Sequence, residues 1–414
     1  MLASTNDFRR VLAGEGISNF GSMLSRLALP WLATLALAAT PLQMALLLVA
    51  DVAAGAAGAL LLGTLIDRAP KRAVMIGADL ARAGVLGLLA ALAFFGVLSI
   101  WLLAAAAALT GLLTVAFELA RSAWVAQSVE PARLPARNAQ LSAIGSVSET
   151  SAFALGGWLY QLLGAVLALA VDAVSYLLSA ACLWGLRAGR DAASPVAPGE
   201  GRRGGATGGA WLRFIAELRS GLAVIRATPE LRALAILEVL LALGGSLFGT
   251  SYMIFVARDL GFGTGALGMI FAMGGIGGVA GAALAPGLAR RAGSGNAMTI
   301  GLGLMTLGAL CIPLAAGVTL AGAALLVAHQ VVGDGGATIF QVHDRTLRQT
   351  AVAPELLARA DGGLRTLGQL ATLLGALGGG WLATELGARF AMGGVVAILA
   401  AATWVAHHRL RGRP

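Results

Sequence analysis

The stretch Gly63-Thr64-Leu65-Ile66-Asp67-Arg68-Ala69-Pro70-Lys71-Arg72 lies where two long apolar runs meet, near 43–66 and 73–96. A helix needs about 20 apolar residues to cross a bilayer core of about 30 Å, and each run is long enough. The last six residues of the stretch carry one acidic and three basic side chains. Because so many charges are costly in hydrocarbon, the stretch is predicted to connect two membrane helices.

The composition of the whole chain is that of a membrane protein. Of the 414 residues, 58% are hydrophobic and 12% are charged, whereas about 25% of the residues of a soluble domain are charged. The 58 glycines and the low aromatic content of 6% are typical of closely packed membrane helices rather than of a lipid-facing barrel. The cysteines Cys182 and Cys311 lie far apart in apolar runs, so neither a disulfide framework nor a metal site is expected.

Polar breaks divide the chain into apolar runs of membrane-spanning length. The twelve predicted spans lie near 11–38, 43–66, 73–96, 101–126, 138–161, 165–186, 230–257, 265–289, 297–316, 319–343, 361–385 and 388–407. Lys and Arg are concentrated in every second connection and at both ends of the chain, and positive loops stay in the cytoplasm. We therefore predict cytoplasmic termini, and we interpret the net charge of +9 as an insertion signal rather than a nucleic-acid site. The first span is predicted to be a retained helix, not a signal peptide.

The second half of the chain repeats the first. Adding 223 to a residue number often gives the same residue type, as for Glu15 and Glu238 or the Gly-Gly-Trp-Leu runs that begin at Gly156 and Gly379. Since each copy holds six spans, the two copies form a parallel repeat that can rock about a midplane cavity. We predict six-helix bundles at 1–186 and 230–414. Residues 187–229 are predicted to form a cytoplasmic linker, with an amphipathic helix along the membrane surface.

The Gly63–Arg72 stretch resembles the G-x-L-x-D-R-x-G-R-K signature of the major facilitator superfamily, with Pro70 where the signature has glycine. Together with the spans and the repeat, the resemblance covers the whole chain and implies that family's all-α fold of twelve transmembrane helices. Asp67 is expected to cap a helix N-terminus near 361–365 in the other half, which would form a gate. Membrane topology alone would explain the basic residues Lys71 and Arg72 equally well, but it does not explain Asp67. The predicted gate consists of Gly63, Asp67, Arg68, Lys71, Arg72 and Arg121.

Two further segments resemble one subfamily of this superfamily. Ile17–Gly21 with Arg26–Trp31 looks like the first helix of the drug:proton antiporter-3 subfamily, and Val171–Ala180 resembles its sixth. That group includes macrolide and siderophore exporters, so the resemblance implies outward transport of amphiphilic natural products. The chain departs from the group at Ser22, where many members have an acid, and in the fifth span, which lacks the antiporter Gly-Pro.

Charges within the predicted spans need a reason, because a charge at the bilayer centre costs about 2.5–3.5 kcal/mol even on the lenient insertion scale. We predict a central polar site in which Arg26 lies close to Asp51 or Glu149 and the acid exchanges protons. A fixed ion pair between packed helices is the open alternative. Asn19, Glu15 and Glu238 complete the candidate set. Within single helices, Asp79 with Arg82 and Glu118 with Arg121 are spaced to form ion pairs.

The sequence contains no Walker A, HExxH or G-x-S-x-G pattern, so we expect no enzyme activity, catalytic residue, metal or cofactor. The predicted function is secondary export of amphiphilic small molecules by alternating access, with proton antiport, in a bacterial inner membrane. The expected partners are the transported molecule, protons and the lipid bilayer, and a monomer suffices. Two alternatives stay open: an uptake symporter for a specific metabolite, and a non-transporting sensor or lipid-handling protein on the same fold.

Overall fold

The computed structural model describes residues 5–130, 133–186, 208–352 and 354–412. Within these ranges the regular structure is helical, which confirms the predicted all-α class. The helices are α1 (Thr5–Trp31), α2 (Pro41–Arg68), α3 (Lys71–Phe94), α4 (Ile100–Ser128), α5 (Leu134–Trp184), α6 (Gly208–Ala227), α7 (Pro229–Ile254), α8 (Thr264–Ala292), α9 (Ser294–Leu314), α10 (Leu320–Ala351), α11 (Pro354–Leu386) and α12 (Ala388–Leu410). Short π-helical turns, Leu32–Ala36 and Phe255–Asp259, extend α1 and α7.

The repeat is visible in the backbone. Gly164 divides α5 into two arms, 134–163 and 165–184, because its φ of 72° is not helical. Gly387, which lies 223 positions later, joins α11 to α12 with a φ of 89°. Glycine adopts this left-handed region without a Cβ penalty. Both halves therefore make the same sharp junction between their fifth and sixth spans.

Nine helical stretches in the described part of the chain are long and apolar enough to cross a membrane. They lie in α2, α3, α4, the second arm of α5, α7, α8, α9, α10 and α12. The remaining predicted spans are also helical, in α1, the first arm of α5 and α11, but they are not among the nine. The count of twelve and the cytoplasmic termini stay predictions.

The chain forms two compact units. Unit 1 comprises Met1–Leu37 and Ala50–Leu212, and unit 2 comprises Ala38–Val49 and Arg213–Pro414. In unit 1, one core cluster includes Phe8 and Met75, and another includes Leu169. The core of unit 2 includes Leu231 and Leu364. The division after residue 212 falls inside the predicted linker.

Two helices extend beyond the positions inferred from hydropathy. The amphipathic segment is helical in α6, but Ile225 is buried in the core of unit 2 and Gly221 packs against Gly363 of α11. Part of α6 is therefore a core element and does not lie only on a membrane surface.

The start of α11 also differs from the prediction. Because α11 begins at Pro354, residues 361–365 lie in its interior. The helix N-terminus that Asp67 was predicted to cap therefore does not lie at 361–365, and the capping role of Asp67 stays a prediction.

Glycine makes close backbone contact possible in unit 2. A Cβ at Gly281 of α8 would collide with the backbone of Gly335 in α10, so Gly281→Ala should push these helices apart. We expect a loss of about 1–3 kcal/mol in the free energy of unfolding, measured by denaturant titration in micelles. The matched control is Gly393→Ala, because nothing lies within 4 Å of the Cβ that would be added in α12. Equal stability of the two variants would contradict the close contact.

Candidate functional site

Two basic residues of the predicted gate, Lys71 and Arg72, bind helix ends. Lys71 Nζ donates hydrogen bonds to the carbonyl oxygens of Ile66, at 2.7 Å, and Ala69, at 2.9 Å, at the end of α2. Arg72 donates to the carbonyls of Leu183, at 3.2 Å from Nε, and Trp184 at the end of α5. The last carbonyls of a helix have no intrahelical partner, so both side chains stabilise helix C-termini. The side chains of Asp67 and Arg68 lie outside the described part of the structure, so the gating role of these residues and of Gly63 stays a prediction.

An ion pair joins the first and fourth helices of unit 1. Arg121 of α4 binds Glu15 of α1, and the amide of Asn19 lies 3.4 Å from the same carboxylate oxygen. Only 7% of the Glu15 side chain and 21% of the Arg121 side chain are exposed. The described partner of Arg121 is therefore Glu15, rather than Glu118 on its own helix.

Unit 2 contains the corresponding pair with an additional acid. Arg348 Nη2 of α10 lies 2.7 Å from Glu238 Oε2 of α7, and its Nε lies 2.9 Å from Asp344 Oδ2. Asp361 is 3.8 Å away. The position equivalent to Arg121 in the repeat holds Asp344, so the arginine lies one helical turn further along. Both predicted glutamates thus bind an arginine of the fourth helix in their own repeat.

The predicted central polar site is described only in part. Arg26 is exposed on α1 and its charge acts on Asp51 of α2, which is half-buried. The side chain of Glu149 lies outside the described residues. These observations place Arg26 within electrostatic range of Asp51, and the exchange of protons there stays a prediction.

The carboxyl of Asp51 packs closely against Gly111 of α4. A Cβ added at Gly111 of α4 would collide with Asp51 Oδ1, and a Cβ added at Gly274 of α8 would collide with Asp334 Oδ2 of α10. The offset of 223 relates Asp51 to Gly274 and Gly111 to Asp334. Each unit therefore has one carboxyl facing one glycine, with the acid on opposite members of the helix pair.

A buried charge cluster, not predicted from the sequence, lies between α1, α3 and α5. We call it the Asp79–Asp172 cluster, and it consists of Asp79, Arg82, Asp172, Ser175 and Tyr176. The residue exposure is 0% for Asp79, 3% for Arg82 and 1% for Asp172. Arg82 and Asp79 form the predicted ion pair within α3, and Ser175 Oγ lies 3.1 Å from Asp172 Oδ1.

The guanidinium of Arg82 is held on several sides. Its Cζ lies 4.2 Å from the ring centre of Tyr176 and 4.8 Å from that of Phe117, at cation–π distances. Its Nη1 is 3.3 Å from the hydroxyl oxygen of Thr114 in α4. The Tyr176 hydroxyl is in turn hydrogen-bonded to Ser22 of α1, at 2.8 Å. These contacts fix the charge of Arg82 within the apolar core of unit 1.

A cavity of about 700 Å³ lies beside this cluster, between α1 and the two arms of α5. Its walls are apolar, with Ile17 and Phe20 from α1, Ile144 from the first arm and Val174 from the second. The polar side chains that reach it are the hydroxyls of Ser148, Ser151 and Ser175. Ser175 belongs to both features, because it lines the cavity and donates to Asp172.

Unit 2 contains an aromatic cluster around His329 of α10. Tyr252 stacks on Phe248 with ring centres 4.4 Å apart, and His329 lies 5.8 Å from the ring of Tyr252. Phe271 closes a third side at 5.9 Å from Tyr252. Among the described residues, the Tyr252 hydroxyl and His329 Nδ1 have no hydrogen-bond partner. Asp334 acts electrostatically on Tyr252, so this cluster is polar as well as aromatic.

The sequence did contain a signal for the buried cluster of unit 1. Asp172, Ser175 and Ser179 recur at three- and four-residue spacing on one face of α5. Asp79 and Arg82 form a matching polar strip on α3. A search for pairs of helices with matching polar faces would have predicted that these residues lie together. The depth of each charge along its own span does not predict it.

Comparisons with known proteins identify the family and the fold. The model of the Major Facilitator Superfamily matches residues 11–360. A search of curated proteins found no match to the sequence. Several solved structures are similar over nearly the full chain. The nucleoside transporter NupG has a TM-score of 0.71 at 14% identity, and covers 97% of this chain and 99% of its own.

Two other structures are similar to the same extent. A bacterial homologue of the iron transporter ferroportin, in an inward-facing state, has a TM-score of 0.67 at 18% identity, covering 97% of this chain and 98% of its own. A bacterial homologue of the human lysosomal transporter Spinster has a TM-score of 0.70 at 13% identity, covering 99% of this chain and 100% of its own. At these identities the similarity establishes the fold alone.

Proposed function

The chain belongs to the Major Facilitator Superfamily, and from this premise we propose that it is a secondary transporter that exports amphiphilic small molecules in exchange for protons. The observation that carries the proposal is the 700 Å³ cavity of unit 1, whose walls are apolar with a few hydroxyl groups. A ligand site of this kind buries apolar surface and orients the ligand by a few polar contacts. A parallel repeat further supports alternating access, since two like bundles can rock about a central site.

The subfamily resemblance also supports export of macrolide-like or siderophore-like compounds. We place the protein in a bacterial inner membrane as a multi-pass monomer that needs no cofactor and binds no nucleic acid.

A transporter for a polar cargo is the second candidate. It is favoured by the cluster of Tyr252, His329 and Asp334 in unit 2, because its unpartnered polar atoms suit a polar ligand. Uptake by symport is the form of this candidate that the sequence analysis left open.

The test is transport by the purified full chain in proteoliposomes with an imposed pH gradient. The panel contains hydrophobic dyes, macrolides, siderophores and nucleosides. We expect gradient-driven movement of an amphiphilic compound with opposite movement of protons, both abolished by a protonophore. Movement of nucleosides alone would favour the second candidate. No transport by a folded protein would favour a sensor or lipid-handling role.

Filling the cavity should discriminate between large and small cargo. Ala170 lines the cavity on the second arm of α5, and Ala170→Phe would occupy part of the space. We expect the apparent KM of the largest transported compound to rise about tenfold, equivalent to about 1.4 kcal/mol of lost binding. The matched control is Ala181→Phe, since Ala181 is exposed on the same helix. Equal KM values for both variants would show that the cargo binds elsewhere.

A further inference from the structure

We propose that Asp172 binds the proton that is exchanged during transport, within a site completed by Asp79, Arg82 and Ser175. The inference rests on the proposed function, and it assigns the coupling step to residues outside the predicted Arg26–Asp51 site. Four observations carry it: the burial of the charges, their imbalance, the unpartnered oxygen of Asp172 and the contact with the cavity.

The first two observations concern charge. Asp79, Arg82 and Asp172 are each at most 3% exposed. With both carboxyls ionised, two negative charges face one positive charge, so the cluster would have one excess negative charge in an apolar interior. A buried charge without compensation is costly, and a bound proton removes the excess.

The third observation indicates which carboxyl takes the proton. Asp79 is ion-paired with Arg82, which favours its charged form. Asp172 accepts a hydrogen bond at Oδ1 from Ser175 but forms no ion pair within the described residues. Oδ2 accepts no hydrogen bond from the described residues in either carboxyl, so the ion pair of Asp79 is what distinguishes the two. We therefore assign the proton to Oδ2 of Asp172. A metal ion would instead meet the guanidinium of Arg82, which repels it.

The surroundings of Asp172 include few other titratable groups. Asp79 and Arg82 face it from α3, and Tyr176 lies on its own helix. From α1 it meets the hydroxyl of Ser25. The charged groups of α1 after Arg10 are Glu15, which Arg121 binds, and Arg26, which is exposed.

The fourth observation connects the proton to the cargo. Ser175 Oγ donates to the backbone oxygen of Asp172 at 2.7 Å and to Oδ1 at 3.1 Å. The same side chain lines the cavity. A ligand that takes the Ser175 hydroxyl removes a hydrogen bond from the Asp172 carboxylate and changes its affinity for the proton. Ser175 is thus a positioning residue between the ligand and the proton.

The experiment combines infrared spectroscopy with transport, on the full chain in proteoliposomes. A pH jump should produce a difference band of a protonated carboxyl in the wild type, and Asp172→Asn should remove it. The same variant should lose the response of transport to the pH gradient. Glu118→Gln is the control, because Glu118 is an exposed acid on α4 of the same unit. A band and a gradient response that survive in Asp172→Asn would overturn the proposal.

Ser175→Ala keeps the test decisive if Asp172→Asn fails to fold. Loss of one hydrogen bond to a carboxylate should move the midpoint of the band to higher pH by roughly one unit. An unchanged midpoint would overturn the link to Ser175. The infrared band can be measured without transport. If Asp172→Asn loses the band but the wild type transports no compound of the panel, only the proposed function is contradicted. Proton-coupled export with an intact band in Asp172→Asn would contradict only the proton site.

Discussion

Arg82→Gln is expected to be one of the most destabilising single substitutions in unit 1. It leaves the carboxyls of Asp79 and Asp172 buried without the guanidinium that acts on both of them. Removing one partner of a buried ion pair costs about 3–5 kcal/mol, because the remaining charge has neither water nor a partner. Thermal unfolding of the purified protein in micelles, followed by intrinsic fluorescence, would measure the loss.

A pair with the same spacing provides the control for Arg82→Gln. Arg133 and Glu130 are three residues apart at 3.2 Å, but their side chains are 68% and 47% exposed. Exposed pairs contribute about 0–1 kcal/mol, so Arg133→Gln should change stability little. The double variant Arg82→Gln with Asp79→Asn should recover part of the loss, since it removes one uncompensated charge. Equal melting temperatures for the two arginine variants would contradict the buried position of Arg82.

Glu15→Gln is expected to have a larger effect than the equivalent substitution Glu238→Gln. Glu15 is the described acid that binds Arg121, whereas Arg348 keeps Asp344 at 2.9 Å when Glu238 is lost. We expect Glu15→Gln to cost about 2–3 kcal/mol and Glu238→Gln about 1 kcal/mol, from the range for hydrogen bonds to charged groups. Chemical unfolding of both variants under the same conditions would measure the difference.

A charge exchange tests whether the Glu15–Arg121 pair itself stabilises the protein. Glu15→Arg combined with Arg121→Glu keeps both charges between α1 and α4, and should recover a large part of what either single change loses. If the single and double variants are equally unstable, shape rather than charge governs this contact. If Glu238→Gln destabilises the protein more than Glu15→Gln does, Asp344 does not compensate the charge of Arg348 when Glu238 is lost.

Hydropathy predicts the helices because it depends on residues that are close together in the chain, and the repeat adds a comparison of the two halves. The Gly164 junction follows from a short polar break, and Gly387 follows from the offset of 223. The start of α11 does not follow in the same way. Hydropathy detects the apolar part of a helix, but α11 extends seven residues before the predicted span, from Pro354 rather than 361.

The polar residues were harder to assign, for a physical reason. The depth of a charge along a span does not say which neighbour its side chain faces. Arg26 lies near the middle of the first predicted span and is exposed, whereas Asp172, which was not among the candidate site residues, is 1% exposed. The Asp79–Asp172 cluster depends on how α1, α3 and α5 are rotated, and no single segment encodes that rotation.

The reversed carboxyl–glycine pairs have a consequence for how the two halves diverged. Gly111 makes room for Asp51, while Gly274 makes room for Asp334. If both halves descend from one ancestral bundle, the acid has moved from one helix of the pair to the other, while the space that its carboxyl fills has stayed in place. The feature that both halves keep is then a carboxyl in the space between two helices. An alignment of the halves shows no identical residue at either position, because each acid is aligned with a glycine. Comparing the spaces between helices therefore detects a relationship that comparing residue types does not.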